Sequence, residues 1–554
     1  MQLKLETRLV SSLEKVFAGQ APVAMAPSAT MLRQDFLAFQ LACRFENEGF
    51  SLGLRARVEV DTPLRVTVRQ VEQMPVRMVS PSTKDGDYIS DQPGLYPDLL
   101  APARMGDSFL VNGGQWNAFW IEVETEEGTP AGVYQLPISL ILSNPFTKDS
   151  VTLTTSLSLT VVDAVLPPQT LKHTEWFHAD CVANYYHLPV WSEEHWKMVE
   201  NQLQLACRRG INMLLTPLFT YPLDTAEGAS RTVTQLVDVT VEGEGKYRFG
   251  FDNFRRWVQM GQRCGIQWFE MSHLFSQGGA AHSAPIMGMV DGQLRQIFGP
   301  ADASDGEPYQ NFLSQLLPAL TTEIEALGIR EQVVFHLSDE PQLQHLPLYR
   351  KLKEKLMTYL DGYVIMDALS DYDFYRDGVC QHPVVASNHV TPFLEGETPE
   401  DFWVYYCVGQ YDQVANRFIA MPSYRNRILG VQLYKYEVDG FLHWGYNFYN
   451  SIGSIYPVNP FASTDSGSGF PAGDPFLVYP GDDGQPWPSI RLEVLWEALC
   501  DLRALKLLES LTSRKFVMSL IEAEEEVTFF SYPRNAEYLL KLRERVNAEI
   551  ARHV

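Results

Sequence analysis

The sequence predicts a multidomain protein in which an N-terminal β-sandwich precedes a (β/α)8 barrel with C-terminal helices. Three observations lead to this fold class. Short strand-like segments fill residues 1–165, a proline pair follows at Pro167 and Pro168, and a strand–helix–strand rhythm then continues for most of the chain. A doubly wound open sheet has the same rhythm and is the alternative, because closure of a sheet cannot be read from a sequence.

The N-terminal segments are strand-like because their apolar residues recur at every second position, or form short runs, between turn residues. The turn Thr129-Pro-Ala-Gly132 favours an antiparallel pairing of the segments on either side of it. The best strand candidates are residues 54–60, 64–79, 119–123, 133–142 and 151–162.

The proline pair lies between two regions of different composition and therefore marks a domain boundary. We divide the chain into a sandwich at residues 1–165, a catalytic barrel with long loops and a closing helix at residues 166–512, and a helical extension at residues 513–554.

Eight apolar segments separated mostly by helical patterns predict the eight barrel strands. They are residues 174–181, 212–219, 267–274, 333–337, 363–369, 383–388, 401–408 and 440–447. Helical patterns cover residues 193–209, 251–264, 308–327, 347–360 and 413–437, and Ser192 is a candidate N-cap of the first. After the barrel, residues 490–511, with Ser489 as a candidate N-cap, and residues 533–552 also have helical patterns.

Three connections after strands are unusually long and rich in loop residues. They follow the second, third and eighth strands, and the first contains a hairpin pattern at residues 231–249. The other two cover residues 277–307 and 456–488. Long loops in compact domains are usually functional, and all three belong to the end of the barrel where active sites are found.

Composition excludes several classes of protein. The 554 residues carry a net charge of −24, which argues against a nucleic-acid partner and against an anionic membrane surface. The chain has no apolar run long enough for membrane insertion and no visible signal peptide, so we expect a cytoplasmic protein. Seven scattered cysteines without a Cys-x-x-Cys motif indicate reduced thiols, and we expect neither a metal nor a cofactor.

Asp339 and Glu340 are the candidate catalytic pair. They follow the apolar run at residues 333–337 and precede Pro341, so they lie where a buried strand ends. Two acids this close cannot both ionise freely, and a shifted pKa is what general acid catalysis needs. The plainer alternative is that both acids face solvent beside the next helix. The long loops at the same barrel end favour the catalytic interpretation.

Other strand ends supply side chains that suit a sugar, because aromatic rings stack on apolar ring faces while amides and acids bind hydroxyls. For any single tryptophan or tyrosine, however, core packing is at least as common. The substrate-binding candidates are Trp403, Tyr406, Trp444, Asn447, His389 and Asp180. The same region also offers His273, Asp367, Asn388 and Tyr405.

Several motifs in the same order resemble those of glycoside hydrolase family 123, and the resemblance spans nearly the whole chain. They are His336-Leu-Ser-Asp-Glu-Pro341, Gly440-Phe-Leu-His-Trp-Gly-Tyr-Asn447, Asp474-Pro-Phe-Leu-Val-Tyr-Pro-Gly481 with Pro488-Ser-Ile-Arg-Leu-Glu493, and the upstream residues 120–134.

The resemblance implies a retaining, exo-acting β-N-acetylgalactosaminidase in which the substrate's 2-acetamido oxygen is the nucleophile and an oxazolinium intermediate forms. Glu340 would then be the general acid and base, and Asp339 would orient the acetamido nitrogen. The implied substrate is an oligosaccharide or glycoconjugate with a terminal β-N-acetylhexosamine. Two alternatives stay open: a carbohydrate-binding protein without turnover, and a barrel glycosidase with a different sugar specificity.

Overall fold

The computed structural model describes residues 4–46, 53–226 and 229–554. The first ten strands form an N-terminal β-rich region. They are β1 (Lys4–Ser11), β2 (Ser28–Arg33), β3 (Phe36–Glu46), β4 (Leu54–Val60), β5 (Arg65–Val76), β6 (Gly94–Ala101), β7 (Phe109–Val111), β8 (Trp116–Glu124), β9 (Gly132–Ser143) and β10 (Ser150–Val165).

These ten strands form two five-stranded sheets, ordered β1-β3-β8-β5-β6 and β2-β10-β9-β4-β7. Their pairings are antiparallel except that of β10 with β2. Alternation along β9 buries Leu136, Ile138, Leu140 and Leu142 and leaves the residues between them less covered. Buried side chains from both sheets join in one hydrophobic core, so the period-two pattern predicted this region correctly as β-rich.

The remaining strands belong to the barrel and to its loops. They are β11 (Lys172–Glu175), β12 (Met213–Thr216), β13 (Asp238–Gly243), β14 (Lys246–Gly250), β15 (Trp268–Met271), β16 (Ile286–Val290), β17 (Gln293–Phe298), β18 (Val333–Phe335), β19 (Val364–Ala368), β20 (His382–Ala386), β21 (Trp403–Tyr405), β22 (Gly440–His443), β23 (Val478–Pro480) and β24 (Pro486–Pro488).

Eight parallel strands close into a barrel in the order β11-β12-β15-β18-β19-β20-β21-β22. The first and last strands pair directly, with Lys172 opposite Gly440. This closure confirms the predicted barrel and excludes the open sheet. All eight predicted strand segments overlap a barrel strand, although each observed strand is shorter than the apolar run that predicted it.

The helices surround the barrel or follow it. They are α1 (Ala179–Tyr186), α2 (Glu193–Arg208), α3 (Asp252–Cys264), α4 (Glu307–Ala326), α5 (Leu346–Leu356), α6 (Tyr372–Arg376), α7 (Thr391–Glu395), α8 (Tyr424–Arg427), α9 (Leu429–Lys435), α10 (Ile490–Leu511), α11 (Arg514–Ile521) and α12 (Ala536–His553), with short 3-10 helices at Arg330–Gln332, Leu343–His345 and Ile452–Ser454. The predicted caps are confirmed: Ser192 accepts a hydrogen bond from the backbone N–H of His195, and Ser489 accepts one from that of Leu492.

The pairing predicted across the Thr129–Gly132 turn was wrong, because β8 and β9 belong to different sheets. Two predicted elements were also wrong. Residues 174–181 are not one strand, because the strand ends at Glu175 and helix α1 begins at Ala179. Residues 413–437 are not one helix, because only α8 and α9 form there. The Asn416 side chain donates instead to the backbone carbonyls of Cys407 and Gln410. These contacts hold the first part of the segment as a loop on the barrel.

The long loops meet at one end of the barrel. The predicted hairpin is present as β13 and β14, and it joins β16 and β17 from the next long loop in a sheet ordered β14-β13-β16-β17. Two of the three loops therefore support each other above the barrel.

Buried ion pairs connect the three parts of the chain. Arg209, just after α2, donates to Glu122 of β8 and to Glu493 of α10, and Arg543 of α12 donates to Asp501 of α10. These contacts join residues on opposite sides of the domain limits proposed at residues 165 and 512. The limits therefore stay predictions. Within the described ranges, no helix has the length and apolar character needed to span a bilayer.

Candidate active site

Asp339 and Glu340 lie beyond the carboxyl end of β18, the fourth strand of the barrel, and both line one cavity. The cavity measures about 120 Å³, which is room for on the order of ten water molecules. It therefore suits a single sugar ring. Within the described residues, no other pair of consecutive acids lines it.

The backbone explains how two consecutive acids reach the same space, although neighbouring strand residues normally point in opposite directions. Glu340 has a φ of 45°, in the left-handed region that residues other than glycine rarely adopt. Its N–H donates to the carbonyl of Ala368 at 2.9 Å, and the carbonyl of Asp339 accepts from the N–H of Gly278 at 2.8 Å. The end of β19 and the long loop after β15 thus hold a strained turn that directs the two carboxyl groups together.

The electrostatic environment of Asp339 favours its protonated form. Burial and the neighbouring Glu340 carboxylate raise the pKa of Asp339 well above its usual value, and Asp367 adds to the rise. Nearby His336 and a hydrogen bond from Gln277 act in the opposite direction. Asp339 therefore keeps its proton to a higher pH than an isolated aspartate does.

His336 supplies a buried positive charge behind the pair. Its Nε2 lies 2.9 Å from Glu270 Oε2, and its Nδ1 lies 3.5 Å from Asp367 Oδ1. Burial disfavours the imidazolium, but the contacts with the two carboxylates outweigh burial and raise the pKa of His336 to about 10. The charged ring favours the ionised form of Asp339.

His273, His336 and Asp367 bring potential metal-ligand atoms within 4.8 Å of one another. The two imidazole rings are stacked, however, with centroids 4.6 Å apart and an interplanar angle of 21°. An imidazole nitrogen binds a metal through a lone pair in the ring plane, at about 2.0 Å. Stacked rings direct these lone pairs side by side and not at one ion, so the group fits a buried charge network better than a metal site.

Tyr405, the last residue of β21, holds the second acid. Its hydroxyl donates to Glu340 Oε1 at 2.8 Å. Burial and the Glu340 charge raise the pKa of Tyr405 well above its usual value, so the phenol remains a donor at any working pH. The contact fixes the direction of a carboxyl group that is otherwise exposed at the cavity.

Removal of the Tyr405 hydroxyl tests this contact. Tyr405→Phe should lower kcat about tenfold, because a hydrogen bond to a charged group contributes about 1.5 kcal/mol. Tyr406→Phe is the matched control: its hydroxyl lies 3.3 Å from Asn426 Oδ1, away from the cavity. Steady-state kinetics with an aryl glycoside should leave the control close to the wild type. An equal loss in both variants would contradict the assignment.

Aromatic side chains form much of the cavity wall, as expected for a sugar site. Trp444 is the predicted binding residue that lines it. The indole N–H of Trp444 donates to Asp474 Oδ2 at 3.0 Å, and burial raises the pKa of Asp474 to about 7. Two of the recognised motifs therefore meet at this tryptophan. Trp176, Tyr405, Phe448 and Phe470 are the other aromatic residues that line the cavity.

A buried polar cluster forms another part of the wall. Arg231 binds Asp180 through two hydrogen bonds of 2.6 and 2.8 Å and donates to His178 Nδ1 at 3.0 Å. His178 Nε2 lies 2.8 Å from the carbonyl of Trp444. Burial, followed by the Arg231 charge, lowers the pKa of His178 to about 3. His178 is therefore neutral, with its proton on Nε2.

Two predicted binding residues contact members of this cluster but do not line the cavity. Asp180 is fully buried in its ion pair with Arg231. Asn447 is also buried, and its Oδ1 accepts from the backbone N–H of His178 at 2.7 Å. Both hold residues that line the cavity: Asn447 binds His178, and Asp180 binds Arg231. Asp180 does not reach the cavity because helix α1 forms where a strand was predicted.

The remaining three predicted binding residues lie elsewhere. Trp403 points into the barrel but below the cavity, where its ring packs on Gly440. Tyr406 points out of the barrel into the core beneath the helices. His389 is exposed and contacts Asn388 Oδ1 at 2.8 Å. Alternation along β21 explains the positions of the first two. Trp403 and Tyr405 point to the inner face of the barrel, Tyr406 points outward, and only Tyr405 lies at the end of the strand that reaches the cavity.

Sequence reasoning missed several cavity residues. Period-two alternation could have separated Tyr405 from Tyr406 once the inner face was known. The others come from the residue before α1 or from long loops, where no local pattern reports the direction of a side chain. They are His178, Asp224, Arg231 and Gln277.

Comparisons with known proteins agree with this geometry. The family model described as glycoside hydrolase 123, catalytic domain, matches residues 176–508. A family 123 glycoside hydrolase from Clostridium perfringens, solved in a study of glycolipid glycan hydrolysis, matches with a TM-score of 0.74 at 15% identity over 99% of both chains. A family 5 mannosidase from Rhizomucor miehei matches with a TM-score of only 0.32 at 9% identity, over 60% of this chain and 93% of its own. No curated protein matches the sequence.

Proposed function

This chain belongs to glycoside hydrolase family 123 and is a glycoside hydrolase, and we propose that it releases terminal β-linked N-acetylgalactosamine with retention of configuration. We infer that the substrate's own 2-acetamido oxygen attacks the anomeric carbon and that an oxazolinium intermediate forms. One observation carries the proposal: two consecutive acids, Asp339 and Glu340, face one cavity of single-sugar size.

The pair's arrangement supports substrate assistance. In most glycosidases two carboxyl groups flank the scissile bond, about 5 Å apart in retaining enzymes and further apart in inverting ones. Consecutive residues held in one turn are placed to act on neighbouring atoms of the same sugar. A nucleophile supplied by the substrate removes the need for a carboxylate on the opposite face.

Each acid then has its own task. Glu340, oriented by Tyr405 and open to the cavity mouth, protonates the leaving oxygen and later activates the water that opens the intermediate. Asp339 accepts the acetamido N–H and stabilises the positive charge that develops on the oxazolinium. Because that N–H favours the ionised carboxylate, substrate binding favours loss of the proton from Asp339.

The cavity walls suit the remaining contacts. Trp444 offers an apolar ring face, and His178, Asp224 and Arg231 offer polar partners for hydroxyl groups. A cavity for one ring also favours exo action. The Clostridium perfringens enzyme was studied for glycolipid glycan hydrolysis, and we propose an oligosaccharide or glycoconjugate of the same chemical class here.

A panel of aryl β-glycosides tests the function. The panel compares galacto and gluco sugars that carry either an acetamido or a hydroxyl group at C2, and proton NMR follows the anomer that is released first. We expect fastest turnover of the N-acetylgalactosaminide and the β-anomer as first product. The α-anomer as first product would contradict retention. Faster turnover of another sugar would replace the specificity, and binding of free sugar without turnover would indicate a binding protein.

A further inference from the structure

We propose that Gln277 is a positioning residue that fixes Asp339 for its contact with the substrate's acetamido group. Gln277 lies in the long loop after β15 and lines the cavity. Its Nε2 donates to Asp339 Oδ2 at 2.9 Å, and its Oε1 accepts from the backbone N–H of Asp224 at 3.0 Å. The inference rests on the proposed function, because it assigns Asp339 the acetamido contact.

The second contact determines how the amide is oriented. A backbone N–H can only donate, so the oxygen of the Gln277 amide must face Asp224. The NH2 group is then turned toward Asp339. The Gln277 side chain therefore presents a donor to the carboxylate whatever the protonation state of its other neighbours.

Asp224 is itself held by a different loop. Its Oδ2 accepts from the N–H of Gly453 at 3.1 Å, and its carbonyl accepts from Ser454 Oγ at 2.6 Å. Gln277 thus connects Asp339 to the loops that follow β12 and β22. Two other long loops are therefore connected to Asp339 through this side chain.

The backbone beside Gln277 is fixed as well. The N–H of Gly278 donates to the carbonyl of Asp339 at 2.8 Å. Gly279 has a φ of 131°, and a Cβ there would lie 2.6 Å from the His345 ring. Only glycine fits this close approach. The loop consequently holds the Gln277 side chain at a defined position above the acid.

This arrangement leaves Asp339 Oδ1 for the substrate. Among the described side chains, Gln277 is the one that donates a hydrogen bond to the Asp339 carboxylate. The charged or titratable groups that face Asp339 are Glu340, His336, Asp367 and Cys407. Gln277 adds a neutral donor that favours the ionised carboxylate and fixes its rotation about the Cβ–Cγ bond.

Three variants test the role. Gln277→Ala removes both contacts, Gln277→Glu keeps the shape and removes the donor, and Gln293→Ala is the control on the exposed β17 of the same loop. Gln277 is exposed, so all three should unfold at the wild-type temperature. For Gln277→Ala we expect kcat on the aryl N-acetylgalactosaminide to fall about tenfold. Affinity for a galacto-configured thiazoline should fall in parallel, and the acid limb of the pH profile should move to higher pH.

Gln277→Glu gives a readout that a merely structural role would not move. At neutral pH the introduced carboxylate repels Asp339, so this variant should be the slowest. As the pH falls, the introduced carboxylate takes up a proton and becomes a donor again. The activity ratio of Gln277→Glu to Gln277→Ala should therefore rise toward acidic pH, whereas Gln293→Ala should follow the wild type throughout.

The outcomes separate this role from the proposed function. If Gln277→Ala keeps the wild-type thiazoline affinity and acid limb, the positioning role is wrong, and the proposed function stands. If the wild-type enzyme hydrolyses the 2-hydroxyl galactoside as fast as the 2-acetamido one, the proposed function is wrong. In that case the acid limb of the pH profile alone decides whether Gln277 positions Asp339. An acid limb that is the same in Gln277→Ala and the wild type would show that it does not.

Discussion

Glu340→Gln should lower turnover of substrates with poor leaving groups by about 10²–10⁴-fold, because the glutamine cannot donate a proton to the departing oxygen. The variant should fold normally, since Glu340 is exposed at the cavity and the glutamine has the same shape. The Tyr405 hydroxyl can still donate to the amide oxygen. The loss is therefore one of chemistry and not of position.

The leaving group provides the control for this prediction. Activated phenols depart with little protonation, so the loss should shrink as the phenol becomes more acidic. A plot of kcat against leaving-group pKa should be steeper for the variant than for the wild type. An equal loss with every phenol would contradict a general-acid role, and so would a glycosyl ester on any carboxylate found by mass spectrometry.

Replacement of the substrate's 2-acetamido group by a hydroxyl should lower turnover by about 10³-fold or more, because the intramolecular nucleophile is then missing. A galacto-configured thiazoline, which resembles the cyclised intermediate, should bind at least about 10²-fold more tightly than free N-acetylgalactosamine. Rates with the matched aryl glycosides and inhibition constants measure both effects.

Asp339→Asn should also lower turnover of the 2-acetamido substrate, because it changes the enzyme group that contacts the acetamido nitrogen. Without the carboxylate the developing positive charge is not stabilised, so kcat should fall by about 10²–10³-fold and most of the thiazoline preference should disappear. The pH profile adds a further check. Activity requires ionised Asp339, whose pKa burial and Glu340 raise, so activity should be lost as the pH falls through the pKa of Asp339. If the enzyme hydrolyses the 2-hydroxyl galactoside as fast as the 2-acetamido one, Asp339 has a binding or structural role instead.

The sequence predicted well what depends on local pattern. Apolar runs identified all eight barrel strands, and serine caps at Ser192 and Ser489 marked the helix starts because an N-cap acts on backbone N–H groups close to it in sequence. The position of Asp339 and Glu340 followed from the end of one strand. The family followed from motifs along the chain. The catalytic roles of the two acids stay predictions until the variants are measured.

Only the tertiary structure decided which side chains surround the acids. Tyr405 and Tyr406 are equivalent in sequence, and closure of the barrel determines which of them faces the cavity. Gln277 reaches Asp339, and His336 reaches Glu270, across more than sixty residues of chain. Such contacts depend on loop paths and on the burial of charge, neither of which leaves a local periodic signal. The sequence by itself therefore determined the family, the strands and the acid pair, whereas long-range packing decided the cavity walls and the electrostatic partners of the acids.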